Sequence, residues 1–184
     1  IILEKNGQIG RKLRITGKGR CNLTNACDLD TLMANVPRNP RFLYSAFSAF
    51  MPYDTMSFFE DLGVPLKTER GNRVFPQSDK AADIANALIK NAEHAGVRFV
   101  HGCAKAFEFG GGKICSVILE SGEKISCDSV AICTGGKSYP ATGSTGQGYA
   151  LAKSAGHRIV PVSAALVPLC CNNDFVSDLQ GLSL

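Results

Sequence analysis

One stretch constrains the fold of this chain more than any other. Residues 78–95 place Ile84, Leu88 and Ala92 four apart, the spacing of one helix face, with Ser78 as the cap. Gly96 then stops the helix, and residues 97–100 form a short apolar strand. Helix, tight glycine and apolar strand make the second half of a βαβ unit. That unit points to an α/β class.

The rest of the chain is read around it. Residues 1–4 predict a strand that ends in Glu4, followed by a Gly-rich, basic loop over 6–25. Two helices are expected at 40–51 and 54–62, with Asp54 as an N-cap and Gly63 as a stop. Phe42, Leu43, Phe47, Phe50, Phe58, Phe59 and Leu62 recur at helical spacing and are expected in the core. Residues 66–68 and 73–75, joined by Arg70-Gly71-Asn72, predict a hairpin. Three strand-like runs at 103–109, 114–120 and 124–127 predict a β-meander. An apolar run at 129–134 reads as a strand covered on both faces, and it leads into Thr134-Gly135-Gly136. A loop rich in Gly, Ser, Thr and Pro occupies 137–148. A helix over 147–154 ended by Gly156, then a strand at 159–162, complete the pattern.

Composition excludes several classes. The chain has 184 residues, enough for one domain and part of another at about 150 per domain. It is 45% hydrophobic and 20% charged, which suits a globular core and rules out a disordered tail. Lys plus Arg is 20 against 16 acids, a net +4 that is dispersed apart from Arg11, Lys12, Arg14, Lys18 and Arg20. A nucleic-acid binder would show a larger basic patch, so none is expected as a partner. No apolar run reaches the roughly 18 residues that span a bilayer, and Ile1-Ile2-Leu3-Glu4-Lys5 is charged too early for a signal peptide. No membrane partner is expected. The eight cysteines form no Cys-x-x-Cys and have no His at ligand spacing. They read as reduced, mostly buried thiols of a cytoplasmic protein, with no metal site.

Four places carry candidate chemistry. An acid at the carboxyl end of a parallel strand, as Glu4 would be, can accept both hydroxyls of a ribose. In Gly10-Arg11-Lys12-Leu13-Arg14-Ile15-Thr16-Gly17-Lys18-Gly19-Arg20-Cys21-Asn22, glycines admit backbone close to a ligand and cations suit phosphate oxygens. This is no P-loop, which requires Gly where Lys12 stands and Ser or Thr where Gly19 stands. It is no dinucleotide fingerprint either, since Asn22 occupies the place of the third glycine. The plain alternative is an exposed basic loop. Thr134-Gly135-Gly136 leaves room for a cofactor at a strand end, and the 143–148 turn enters a helix whose N–H groups suit an anion. Cys21 has cationic neighbours that suit a redox thiol. His157 reads as a helix-end residue, and His94 and His101 as solvent-facing.

The motif Thr16-Gly17-Lys18-Gly19-Arg20-Cys21-Asn22-Leu23-Thr24-Asn25 resembles the BaiN/YhiN-type family of NAD(P)/FAD-dependent oxidoreductases, the bile-acid 3-dehydro-delta-4,6-reductase-like flavoproteins. Three further blocks agree in order: Arg73-Val74-Phe75-Pro76-Gln77-Ser78-Asp79-Lys80-Ala81, Thr134-Gly135-Gly136-Lys137-Ser138-Tyr139-Pro140, and Thr142-Gly143-Ser144-Thr145-Gly146-Gln147-Gly148-Tyr149. The resemblance implies a partial Rossmann-like FAD-binding domain over 1–163, with a small helical insertion at about 26–63 and the β-meander at 103–127. Residues 164–184 would begin an inserted substrate domain. The chain opens directly on a strand and trails off in Gln180-Gly181-Leu182-Ser183-Leu184, so it reads as a fragment lacking the family's Gly-x-Gly-x-x-Gly turn.

By the same resemblance Glu4 would bind the adenosine ribose, and Arg11 and Lys12 would lie by the pyrophosphate and ribityl chain. Thr16, Gly17, Gly19, Arg20, Cys21 and Asn22 would pass near the flavin side, Ala104 would touch adenine through its backbone, and Thr134, Gly135 and Gly136 would pack on FAD. The function implied is hydride transfer between FAD and a small-molecule substrate, with NADH or NADPH as electron donor. Reduction of a conjugated double bond in a steroid-like enone is one such reaction. Tyr139 is the nearest candidate proton donor, and no residue is assigned as catalytic. The rival reading is a non-catalytic nucleotide- or RNA-binding module built on the basic loop. Oligomeric state and the choice between NADH and NADPH are not legible.

Overall fold

The structure is a computed structural model that describes residues 1–163 and 178–179. The expected start of a substrate domain, Cys170-Cys171 included, lies outside the described residues apart from 178–179. The fold is α/β. The first strand, β1 (Ile2–Glu4), pairs in parallel with β5 (Phe99–His101), in the register Ile2 to Phe99 and Glu4 to His101. Between them run α1 (Arg11–Ile15), β2 (Thr24–Asn25), α2 (Leu29–Ala34), α3 (Pro40–Ala49), α4 (Pro52–Asp61), β3 (Leu66–Glu69), β4 (Arg73–Pro76) and α5 (Ala81–His94). β4 sits at the centre of a small antiparallel sheet in the order β2-β4-β3. The meander follows as β6 (Ala104–Gly110), β7 (Lys113–Leu119) and β8 (Lys124–Ser126), antiparallel throughout. α6 (Gln147–Ser154) comes last.

Three helices stop at the glycines expected of them, each by the same device. α4, α5 and α6 end with Gly63, Gly96 and Gly156 at positive φ. In α4 the Gly63 N–H donates to Glu60 O and the Val64 N–H reaches back to Phe59 O at 3.0 Å. The pairs Gly96 to Glu93 with Val97 to Ala92, and Gly156 to Lys153 with His157 to Ala152, repeat it. These are Schellman closures, in which a left-handed residue lets the last carbonyls be satisfied. The core uses this closure, since Val64 and Phe59 are both buried. Around them pack Cys21, Ala81, Ile84 and Ala87, with Leu13, Leu23, Phe58, Leu62 and Leu66 at the edge. The core thus lies between α4, α5, the hairpin and the segment after α1.

Several expectations are corrected. Residues 129–134 and 159–162 join no ladder among the described residues, and Ile132, Val160 and Val162 are exposed. An apolar run becomes a strand only where its backbone pairs with a neighbour, and no described strand pairs with either run. The cap of α4 is Met51, whose N–H donates to Asp54 Oδ2 at 2.7 Å, so Asp54 is the third helical residue and not the cap. Ser78 stands ahead of α5, accepting from Lys80 N and donating to Asp83 Oδ2 at 2.6 Å. The buried face of α5 is Ala81, Ile84, Ala85 and Ala87, leaving Leu88 outside. α3 has no buried residue, and Phe42 is 85% exposed because α3 packs chiefly on the short α2. The described thiols are free: Cys21 and Cys27 are buried, Cys103 and Cys127 half-buried, Cys115 and Cys133 exposed.

Candidate functional site

The carboxyl ends of β1 and β5 position the first group. Parallel pairing carries on past the strands, with Gly102 N donating to Glu4 O at 2.9 Å. Glu4 Oε1 accepts from Asn6 N at 2.8 Å and from Asn6 Nδ2 at 2.7 Å. The other carboxylate oxygen takes no hydrogen bond from the described residues, so a strand-end acceptor is left open. Asn6 Nδ2 also donates to Thr142 O at 3.3 Å, which ties this corner to the segment before α6.

Two lysines make the same crossing. Lys12 Nζ donates to Ser138 O and Oγ, each at 3.1 Å, and to Ser144 Oγ at 3.3 Å. Lys5 Nζ reaches Thr145 Oγ1 at 3.3 Å and Gln147 Oε1 at 3.4 Å. Among the described residues neither ammonium pairs with a carboxylate. Gln147 Nε2 in turn donates to Ala104 O at 2.6 Å. Glu4, Lys12, Ala104 and the run after Gly136 therefore meet in one hydrogen-bonded corner. Gly135 belongs to it, because a Cβ there would stand 2.9 Å from Ser144 Oγ.

The second group lies over the hairpin. After α1 the chain tightens into a 3-10 turn over Thr16–Gly19, with Gly17, Lys18 and Cys21 left-handed. Thr16 Oγ1 donates to Leu13 O at 2.6 Å, and Cys21 N donates to Thr16 O at 3.0 Å. Arg20 stacks on the Phe75 ring at 4.2 Å and donates to both Glu69 and Asp79. Lys67 completes the set, 2.6 Å from Asp79 Oδ2 and 3.6 Å from Glu69 Oε1. The Arg20 guanidinium holds the Glu69 carboxyl below its ordinary range, and Lys67, followed by Arg20, does the same for Asp79. Arg20 itself is pushed up, first by its hydrogen bond to Glu69. Burial pushes the Cys21 thiol up, against a smaller opposing effect of Thr16, so the cationic neighbours do not make it a thiolate. Around Gly19 no protein atom lies within 4 Å of a Cβ position, so that side is open.

Arg20 is thus engaged by the protein, while Arg11 and Asn22 are exposed. Arg14 donates to Asn86 Oδ1 at 2.8 Å and to Ile9 O, so three of the five cations in the basic loop, Lys12, Arg14 and Arg20, bond to protein partners, and among the described residues only Arg20 meets carboxylates. Sequence reasoning missed the fastening residues Lys5, Asn6, Gln147, Glu69 and Asp79. Most of their partners lie 43 to 142 residues away, the contacts of Asn6 with Glu4 and of Lys67 with Glu69 and Asp79 being the closer ones, and no local pattern marks them.

A parallel strand pair ending in a carboxylate, with a glycine-rich basic segment following it, fits a Rossmann-type α/β protein. The chain belongs to the family described as "HI0933-like protein Rossmann domain", whose model matches residues 1–170. It is 36% identical over 177 residues to the 3-dehydro-bile acid delta(4,6)-reductase of Clostridium scindens, covering 91% of this chain and 40% of that protein. It is 26% identical to the ribosomal RNA dihydrouridine synthases of Escherichia coli and Haemophilus influenzae, over the whole chain and 45% and 46% of theirs. The chain spans less than half the length of these relatives. Among the described residues no helix is long and apolar enough to cross a membrane.

Proposed function

We propose that this chain is the part of an FAD-dependent oxidoreductase that holds the adenosine half of the cofactor. The observation that carries this is the open carboxylate oxygen of Glu4 at the end of a parallel strand. A ribose diol donates to such an acceptor, and the Asn6 clip on Oε1 fixes its direction. The residues present fit that end of FAD. Glu4 takes the ribose hydroxyls, the Ala104 main chain meets the adenine, and Arg11 and Lys12 supply positive charge for the pyrophosphate. Thr134, Gly135 and Gly136, with Gly19 and Asn22, present backbone to the rest. Thr16, Gly17, Arg20 and Cys21 then serve by shape, since the Arg20 side chain is engaged elsewhere.

When bound, FAD supplies the hydride chemistry, and the protein supplies position and electrostatics. The likeness to the reductase of Clostridium scindens supports a small conjugated molecule as substrate, and we assign NADH or NADPH as the electron donor on the family resemblance of the sequence motifs. The free thiols suit a reducing cytoplasm. The rival, an RNA-binding basic loop, is disfavoured because Arg14 and Arg20 bond within the protein.

Glu4→Gln in the full-length protein tests the reading. A hydrogen bond to a charged acceptor contributes about 1.5–3 kcal/mol, so flavin affinity should fall roughly tenfold to a hundredfold. Flavin absorbance retained through dialysis measures it. Unchanged retention would mean that Glu4 does not face the ribose.

A further inference from the structure

The Ala104 carbonyl opens β6 beside the Glu4 corner, since Gly102 N already bonds Glu4 O. That carbonyl is covered by a side chain from 43 residues away, Gln147, whose Nε2 lies 2.6 Å from it and 3.2 Å from Cys103 Sγ. Gln147 is the first residue of α6 and is half-buried, and the helix has no side-chain cap that would need it. The amide is held from its far side by Lys5 at 3.4 Å. Cys103 Sγ is its one other polar partner among the described residues, 3.5 Å from Oε1. A primary amide and the edge of an aminopurine offer the same pair, an NH2 donor next to an acceptor. Gln147 therefore already makes, within the protein, the bond that an adenine amino group would make to Ala104 O.

We propose that Gln147 is an intramolecular stand-in for adenine: it occupies the Ala104 carbonyl and must be displaced by the base. This rests on the reading of the β1–β5 end as an adenosine site. Displacement breaks one neutral hydrogen bond and forms another, while the released amide keeps Lys5 as its partner. Adenine nucleotides therefore bind more weakly than their contacts alone would give, and the handicap falls only on ligands that carry the base. It also links occupation of the base site to the 143–147 turn, because Lys5 holds both Thr145 and Gln147.

The test uses the full-length protein stripped of cofactor, with calorimetric titration of ADP and, separately, FMN. Gln147→Ala suits the start of a helix, and Gln147→Glu keeps the length but offers no N–H. Both variants should bind ADP roughly twofold to tenfold more tightly, the equivalent of one net hydrogen bond, with FMN affinity unchanged. Equal or weaker ADP binding in both variants overturns the proposal, as does an equal shift for FMN or a wild type that does not bind ADP. Flavin content of the protein as purified is read separately. A colourless protein with the expected ADP shift defeats the flavin reading and leaves this one standing. A flavin-loaded protein whose ADP affinity ignores Gln147 does the reverse.

Discussion

The two glycine-rich segments, 16–22 and 134–148, are both fastened to the fold, but by opposite chemistry. The first is fastened by carboxylates: Arg20 lies between Glu69 and Asp79, with Lys67 closing the set and Phe75 beneath. The second is fastened by Lys5, Lys12 and Gln147 donating to hydroxyl and carbonyl oxygens. In the first, the Arg20 charge is neutralised while Lys18 stays exposed, and the segment offers a ligand its backbone. In the second, the two ammonium groups meet only neutral oxygens among the described residues and remain able to attract an anion. Glycine content alone does not separate these roles. The partners do.

The comparison breaks most sharply at Gly148, where α6 sits on residues 132–134. A Cβ there would overlap Thr134 Oγ1 and stand 3.0 Å from Ile132 Cγ2. Gly148→Val should cost about 2–3 kcal/mol of stability, since over-packing a close helix contact forces its neighbours apart. Urea unfolding measures it. Gly7, with nothing within 4 Å, is the control, and Gly7→Ala should stay within about 0.5 kcal/mol. An equally mild Gly148→Val would show that the second segment is not seated on α6.

The next effect separates the two fastenings by pH. Glu69 and Asp79 have carboxyls held below their ordinary range by Arg20 and Lys67. The folded state then binds fewer protons than the unfolded one. Their stabilisation is complete above the ordinary carboxylate range and is lost as pH falls below about 4. Glu108, lowered by Lys124 and then Ser116, titrates the same way in the meander, so a bulk melting curve would mix the two. Amide exchange resolves them. Protection of 16–21 should fall in acid and rising salt, while 143–147 stays unchanged until global unfolding. Loss of both segments together would erase the distinction.

What was legible in the sequence follows the same division between local and distant partners. Gly63, Gly96 and Gly156 end helices through bonds that span five residues or fewer, so their pattern was readable. The Arg70-Gly71-Asn72 turn was readable for the same reason, since Glu69 and Arg73 pair directly across it. Residues 129–134 were misread because apolarity belongs to one segment, whereas a strand needs a neighbouring strand, and this run is unpaired among the described residues and largely exposed. Of the site, the residue types at Glu4, Lys12 and 134–136 were visible, but not that Lys12 meets Ser138 and Ser144. The engagement of Arg20 by Glu69 and Asp79 was equally hidden, and it gives that side chain a fastening role.

The smallest expected effect on stability is the most informative about charge. Lys12→Met removes three hydrogen bonds of one ammonium, two of them exposed to solvent. Water replaces the exposed ones, and Ser144 loses one partner, so the cost should be about 0.5–1 kcal/mol in urea unfolding. Flavin affinity should respond differently. An uncompensated cation near a pyrophosphate acts through a field that salt screens over about 10 Å at moderate ionic strength. Wild-type affinity should therefore fall as salt rises, and the Lys12→Met affinity should be weaker but flatter against salt. Arg14→Met provides the contrast, because Arg14 is directed to Asn86 and Ile9 and should leave the salt slope alone. The measurement is flavin dissociation by fluorescence at several salt concentrations. Parallel slopes for wild type and Lys12→Met would mean that Lys12 only ties α1 to Ser138, and that the second segment offers an anion no more charge than the first.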